Sequence, residues 1–332
     1  MMASLACTGL RLRRLSLVAA VVAASMMAGC AYPIRASIDE SHSVAADGLR
    51  KVSVHSRNGR VVVTGEAQAR DVSIKAVKSA RGASLAEARD HAGRVGVDVR
   101  RDEAPGELRI VAKFPEPPDS ARGYGADFDL IVPRDARLEI RTSNGRVEVA
   151  RMDGTLRVDT TNGPIRIVDV RGEVRVETSN GGITIENTFG DVDARTSNGP
   201  IEIGVAGPGS VRAVTSNGHI AIVGGRGNTV ATTSNGAVRL QLVELPPEPN
   251  VSVRSSNGSI TVEVPERASA KVRMATSNGR VKAELGGARL SDLDVGRHRL
   301  SGTLNDGRGI IDIESSNGSL TLRTSAPGTP MQ

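Results

Sequence analysis

An Asn-Gly pair recurs through this chain at an almost fixed interval, and that interval constrains the fold more than any other feature. Six of the asparagines are Asn144, Asn162, Asn180, Asn198, Asn217 and Asn235, separated by 18, 18, 18, 19 and 18 residues. Looser copies stand at Asn58, Asn257, Asn278 and Asn317. The glycines that follow are Gly59, Gly145, Gly163, Gly181, Gly199, Gly218, Gly236, Gly258, Gly279 and Gly318. A period of this length, held over many copies, marks an architecture in which one unit stacks on the next.

A finer period lies inside. Gly145, Gly154, Gly163, Gly172, Gly181, Gly190 and Gly199 are nine residues apart. The second and fourth residues after each are aliphatic: Val147 and Val149, Leu156 and Val158, Ile165 and Ile167, Val174 and Val176, Ile183 and Ile185, Val192 and Ala194, Ile201 and Ile203. That is strand alternation with one buried face. Each unit of about 18 residues is therefore two short strands and two turns, one turn always built on Asn-Gly.

Asn-Gly between alternating strands is a strong hairpin signal, so an antiparallel meander is the first candidate. Pro164 and Pro200 follow two of the pairs. A two-residue hairpin needs the residue after the turn to donate its N–H back across it, and proline has none. The fixed period also favours stacked coils. The expected fold is all-β, a parallel β-solenoid (β-helix-like) of ~18-residue coils. Short corners call for residues at positive φ, which Gly adopts freely and Asn tolerates. Stacked corners stand about 4.8 Å apart, so the Asn amides are expected to hydrogen-bond along the column, and Ser or Thr hydroxyls to do the same. The alternative reading of the motif is a ligand-binding edge displayed many times.

"ADFDLIVPRDARLEIRTSNGRVEV", Ala126 to Val149, resembles the entry to the adhesin-type β-repeat family labelled DUF4097, and "VEVPERASAKVRMATSNGRVKAEL", Val262 to Leu285, repeats that signature. The resemblance spans about Leu49 to Thr324. It implies a right-handed β-helix-like domain and an interaction role in adhesion or envelope stress. It brings no catalytic residues, because the shared motif is made of turn residues.

The rest of the chain is read around this solenoid, residues 49–324. Residues 30–48 read as a polar tether. Val52, Val54, Val61 and Val63 flank Asn58-Gly59 as an early coil. Residues 81–125 read as an excursion. Within it, Ser84 to Glu87 form a capping box, with Leu85, Ala88, Ala92 and Val95 at helical spacing. Strands are expected near Val97 and from Leu108 to Phe114, then a linker, "FPEPPDS". The helix is expected to cover a sheet edge. Further loops are expected at Glu244 to Asn250 and Gly286 to Asn305, and a disordered tail at 325–332.

The N-terminal segment, 1–29, reads as a secretory signal: Arg11, Arg13 and Arg14, an uncharged stretch from Leu15, then Met27-Ala28-Gly29-Cys30. The ending resembles a bacterial lipobox, with Met27 where Leu is usual. It implies cleavage before Cys30 and lipid on that cysteine, an uncleaved signal anchor being the alternative. The other cysteine, Cys7, leaves with the signal, so the mature chain has no internal disulfide. The signal carries three arginines and no acid, so the formal charge falls from +6 to +3 (+6 minus 3). Nucleic acid is not an expected partner.

No metal, cofactor or catalytic motif emerges from the sequence. The five histidines are scattered. Calcium-binding nonapeptide repeats share the nine-residue period, but their second Gly and Asp are missing here. Stacking is expected to set Glu173 beside Asp191, and Asp193 between Arg175 and Arg212. A polysaccharide lyase or hydrolase built on paired carboxylates is therefore the alternative function. Tyr32, Phe114, Tyr124, Phe128 and Phe189 are too few for a sugar-stacking face. The expected protein is a lipid-anchored, non-enzymatic β-solenoid of the cell envelope, at the outer membrane. Its expected partners are the membrane, through the lipid, and an envelope protein or polysaccharide.

Overall fold

The computed structural model describes residues 33–102, 106–116 and 122–326. The elements in chain order are β1 (Ile34–Ala45), β2 (Lys51–His55), β3 (Val61–Glu66), β4 (Asp71–Gly82), α1 (Leu85–Gly93), β5 (Gly96–Asp102), β6 (Glu107–Lys113), β7 (Gly125–Pro133), β8 (Arg137–Asn144) and β9 (Val147–Met152). Then follow β10 (Leu156–Asn162), β11 (Ile165–Arg171), β12 (Val174–Asn180), β13 (Ile183–Phe189), β14 (Val192–Asn198), β15 (Ile201–Val205), β16 (Val211–Asn217), β17 (Ile220–Gly225) and β18 (Thr229–Thr233). The chain continues with β19 (Val238–Leu242), β20 (Asn250–Ser255), β21 (Ile260–Pro265), β22 (Ala270–Thr276), β23 (Val281–Glu284), β24 (Leu290–Val295), β25 (Arg299–Leu304), β26 (Gly309–Ser315) and β27 (Leu320–Ser325). The described residues fall into two units: 33–40 with 77–96, 113–116 and 122–126, and 41–76 with 97–102, 106–112 and 127–326.

The larger unit is a β-solenoid built on two long, mainly parallel sheets. One has the order β1-β4-β7-β3-β9-β11-β13-β15-β17-β19-β21-β27-β23, the other β24-β25-β22-β26-β20-β18-β16-β14-β12-β10-β8-β2-β6-β5. Each coil gives one strand to each sheet, and the register is the sequence period itself. Leu156 and Val158 lie between Leu138 and Ile140 on one side and Val174 and Val176 on the other. Ile165 and Ile167 lie between Val147 and Val149 and Ile183 and Ile185. All of these are buried. Full burial of one such side chain is worth about 1.5–3 kcal/mol. A one-residue slip would turn the whole apolar set outward, so the register is strongly fixed.

The strands of the first sheet carry a feature that simple alternation does not announce. Arg151, Asp169 and Asn187 have φ of 59°, 56° and 55°, one per coil. Each left-handed residue bends its strand and shifts the alternation by one. Met152, Val170 and Thr188, which follow directly, thereby enter the core with no exposure. Asn187 Nδ2 donates to Asp169 Oδ1 at 2.8 Å, joining two of these bends.

Coil order departs from chain order at both ends. β6 lies beside β2 in parallel, and β2 is also beside β8. Leu108 and Ile110 therefore stack on Val52 and Val54, and part of the stretch read as an excursion (81–125) is a coil strand. At the other end β26 stands between β20 and β22. The segment Gly286 to Asn305, read as a loop, contains an antiparallel hairpin, β24 and β25, with β25 paired to β22. The stretch 30–48, read as a tether, contains the 12-residue strand β1. Its outward polar residues alternate with mostly half-buried ones, and Ala36 is its only buried side chain, so its composition is that of a solvated segment.

In the smaller unit, Ser84 Oγ accepts from the Glu87 N–H at 3.1 Å and Glu87 Oε2 from the Ala83 N–H at 2.9 Å. The first bond is the cap that the sequence announces at the start of α1; the returning bond from Glu87 reaches Ala83, one residue before the N-cap Ser84. Ala88 and Ala92 are buried, but Leu85, in the first turn, is exposed. His91 takes the inward position instead, with Nδ1 3.0 Å from the Arg81 carbonyl oxygen.

Candidate functional site: the Ser-Asn-Gly edge

The ten Asn-Gly corners stack into one column in the larger unit. Their amides join in a ladder, Asn278–Asn317–Asn257–Asn235–Asn217–Asn198–Asn180–Asn162–Asn144–Asn58, through nine Nδ2–H to Oδ1 bonds of 2.7–2.9 Å. Every bond points the same way, toward Asn58. At about 4.8 Å per step the nine intervals span about 43 Å. An Asn amide has two donor hydrogens and two acceptor sites. The ladder takes one of each from an interior rung and leaves the others facing outward. Apart from Asn58, the rungs are solvent-exposed.

The residue two before each Asn faces inward and behaves differently from expectation. Its hydroxyl does not continue a ladder of hydroxyls. From Thr178 onward it donates to the carbonyl of the glycine in the neighbouring coil, as Thr196 does to Gly181 at 3.0 Å, Thr215 to Gly199 at 3.1 Å, Thr233 to Gly218 at 3.0 Å and Ser255 to Gly236 at 3.1 Å, whereas the buried hydroxyls of Ser56, Thr142 and Thr160 have no partner among the described residues. The residue immediately before Asn, a serine except at Arg57 and Thr161, faces solvent, with Ser143 half-buried.

The demand for glycine also has another cause than the one expected. None of the ten ladder asparagines has positive φ, and among their glycines only Gly59, Gly145 and Gly163 do. Stacking is what excludes a side chain. A Cβ on Gly181 would stand 2.1 Å from Gly163 O, and one on Gly199 the same distance from Gly181 O. The Gly181 and Gly163 corners must approach that closely for their neighbours to bond, as Gly163 N does to Asn180 O at 3.0 Å.

The outward face of the second sheet is charged, with its charges largely paired. Lys51 Nζ lies 2.9 Å from Glu139 Oε2 and 3.2 Å from Glu107 Oε1, and Arg141 lies 2.6 Å from Glu139 Oε1. The hydrogen bond from Lys51 holds the Glu139 carboxyl below its ordinary range. The same bond raises Lys51. Burial, aided by Arg141, pushes His55 down.

Of the carboxylates considered for acid–base chemistry, Asp191 and Asp193 are drawn into other bonds. Val174 N donates to Asp191 O at 2.9 Å, so Glu173 and Asp191 do stand on adjacent coils. Asp191 Oδ1, however, accepts the Ser210 N–H at 2.8 Å. Asp193 lies between Arg175 and Arg212 in register. It pairs with neither, but bidentately with Arg195 on its own strand, at 2.8 and 3.0 Å. Among the described residues there is no group of three or more His, Cys, Asp or Glu side chains placed to hold a metal ion. No described helix is long and apolar enough to cross a membrane. The signal segment 1–29, Cys30 and the tail residues 327–332 lie outside the described residues.

These features define a class, a stacked parallel β-solenoid with an asparagine ladder along one edge. No family model matches the chain, and no curated protein does. Two solved structures are similar to it. One is described as a "putative cell adhesion protein" from Clostridium sporogenes ATCC 15579, with 10% identity, 87% of this chain and 100% of that chain covered, and a TM-score of 0.27. The other is described as a "putative adhesin" from Bacteroides fragilis NCTC 9343, with 13% identity, 87% and 97% covered, and a TM-score of 0.41.

Proposed function

We propose that the protein is a lipid-anchored, non-enzymatic β-solenoid of the bacterial cell envelope that presents its Ser-Asn-Gly edge to an envelope partner. The observation that carries this reading is the edge itself, with exposed asparagines bonded into one continuous ladder. A surface that repeats one amide and one hydroxyl at each coil suits a partner that is itself extended. It does not concentrate chemistry at one point, as a reaction centre does. The resemblance to the DUF4097 repeats agrees with such a role. Cys30 carries the anchor in this reading, and Ala31, in place of an inner-membrane-retaining Asp, favours the outer membrane.

Two experiments test it. Metabolic labelling with a fatty-acid analogue should mark the wild type and leave Cys30→Ser unmarked; labelling that persists in the variant removes the lipoprotein assignment. Crosslinking in intact envelopes should then capture a partner through the edge. If the wild type captures nothing, the interaction role falls.

A further inference from the structure

We infer that a hollow of about 570 Å³ at the C-terminal end of the Ser-Asn-Gly edge binds a short acidic oligosaccharide. This rests on the interaction role proposed above and gives that role a place and a ligand class. The hollow is lined by Ser234, Ser256, Ser316 and Ser277, by Arg254 and Glu314, and by Arg299.

The concavity is built into the backbone. In the earlier coils the glycine N–H of one corner donates to the asparagine carbonyl of the next: Gly145 to Asn162, Gly163 to Asn180, Gly181 to Asn198, Gly199 to Asn217. Strands β8, β10, β12, β14 and β16 run through the asparagine, but from Asn235 onward the strands of this sheet stop two residues earlier, at Thr233, Ser255, Thr276 and Ser315. There the asparagine N–H donates to a serine carbonyl in the neighbouring coil: Asn235 to Ser216, Asn257 to Ser234, Asn317 to Ser256, Asn278 to Ser316, at 2.8–2.9 Å. The four corners where the strand stops short are those whose serines line the hollow. The antiparallel strand β25 lies beside it. Thr276 N donates to His298 O at 2.9 Å, and His298 Nδ1 lies 2.7 Å from Gly279 O. Those two contacts fix the chain immediately before Arg299.

The bonding inventory says what the hollow has to offer. The inward hydroxyls of Thr233, Ser255, Ser315 and Thr276 are committed to glycine carbonyls. Arg254 is committed to Asp312, Glu314 and Ser252. Among the described residues, the outward hydroxyls of Ser234, Ser256, Ser316 and Ser277 carry no such bond, and exposed Arg299 has no ion pair. The hollow therefore presents a row of hydroxyls at the coil step and one uncommitted guanidinium.

The groups on offer favour a sugar chain: its hydroxyls both donate and accept, as those of the serines do, and its rings are about as long as the coil step. Three steps across four coils, about 14 Å, hold roughly three rings. A carboxylate on the sugar suits the planar fork of Arg299. Without an aromatic platform, binding rests on hydrogen bonds and charge.

The test titrates the full mature protein with tetragalacturonate, with neutral cellotetraose and with tetraglutamate, by calorimetry. Tetragalacturonate should bind, and the other two much more weakly. Arg299→Ala should weaken it about tenfold and Arg299→Lys less, because lysine keeps the charge but loses the fork. The Ser256→Ala/Ser316→Ala pair should also weaken it, while Ser179→Ala, on the same column outside the hollow, should not. Melting should stay unchanged in Arg299→Ala, whose side chain is exposed and unpaired. The assignment is overturned by no binding, by equal binding of cellotetraose or tetraglutamate, by indifference to Arg299→Ala, or by equal loss in Ser179→Ala. Envelope crosslinking by a wild type that does not bind tetragalacturonate would remove this site and leave the interaction role standing. Its failure in the wild type would remove that role.

Discussion

Replacing Gly181 by alanine tests the stacking argument at its tightest point. The new Cβ would stand 2.1 Å from Gly163 O, 2.6 Å from Gly163 C and 3.1 Å from Pro164 N, whereas ordinary contact begins at 3.4 Å. The corner must open by 1.3 Å (3.4 minus 2.1). Three bonds bridge these coils there: Gly163 N to Asn180 O at 3.0 Å, Ile165 N to Gly182 O at 3.0 Å, and Asn180 Nδ2 to Asn162 Oδ1 at 2.8 Å. Such an opening carries them beyond bonding distance. At about 1 kcal/mol each, their loss costs about 3 kcal/mol. Overpacking strain adds about 1–3 kcal/mol, giving a total of roughly 4–6 kcal/mol. Solenoids unfold locally, so hydrogen exchange resolved by peptide should show the loss between Leu156 and Val205, alongside a lower denaturant midpoint. Gly204→Ala is the control. Its Cβ would meet nothing closer than Ile185 O at 3.7 Å, and its cost should stay within about 0.5 kcal/mol. Gly181→Asn discriminates further. A positive-φ requirement would tolerate it, but the contact argument makes it at least as costly as alanine. Equal stability and exchange in Gly181→Ala and Gly204→Ala would refute the reasoning.

Ile183→Asp should cost several kcal/mol, because it buries an unpaired charge among Ile165, Ile201 and their neighbours. Thr184→Asp, one residue along and facing out between Arg166 and Glu202, should cost less than about 0.5 kcal/mol; similar melting losses would reverse the inward and outward assignment. Asn180→Ala and Asn198→Ala each break two ladder bonds, but together they break three rather than four. The double variant should therefore lose less than the sum, by about 0.5 kcal/mol for a bond so exposed, and strict additivity in denaturation would count against the ladder. Glu139, held low by Lys51, stabilises the fold fully above the ordinary Glu pKa of about 4.3 and loses that contribution as pH falls through its lowered folded value. Lys51→Met should flatten that acid-side loss, measured as urea midpoints against pH; an unchanged slope would assign the acid sensitivity elsewhere.

The repeat architecture was legible because each coil states it again. Period, strand alternation and the proline argument name a parallel solenoid, and the apolar pairs are its core. The cause of each glycine was not legible. Positive φ and close approach both call for Gly-like residues, and only the stacked backbone separates the 2.1 Å contact at Gly181 from a conformational need. The inward turn of Met152, Val170 and Thr188 was hidden for a related reason. Asp169 and Asn187 are types that tolerate a left-handed bend, but Arg151 is not, so no shared residue type marks the position. The hollow was invisible, because its corners have the same Ser-Asn-Gly letters as the flat ones and differ only in backbone bonding.

Coil order was the least legible feature, and its physics differs from that of the coils themselves. Val52 and Val54 fit against Leu108 and Ile110 as well as against Leu138 and Ile140, and in the structure they meet both pairs. An apolar stripe therefore sets register but not neighbour. At the ends, where order breaks from the chain, charged side chains reach across coils. Lys51 bonds Glu107 on one side and Glu139 on the other. Arg254 reaches Asp312 and Glu314 on β26, and Arg323 of β27 reaches Glu284 on β23. Several central pairs stay within one strand, as Arg157 does with Asp159 and Arg195 with Asp193. Each exposed pair adds little stability, about 0–1 kcal/mol. For some of them the effect is differential: in simple chain order β6 would separate β2 from β8 and β22 would separate β20 from β26, so Lys51 would lose Glu139 and Arg254 would lose Asp312 and Glu314 while the apolar contacts were kept. The charges at the ends thus favour one stacking order among several that the core alone would accept.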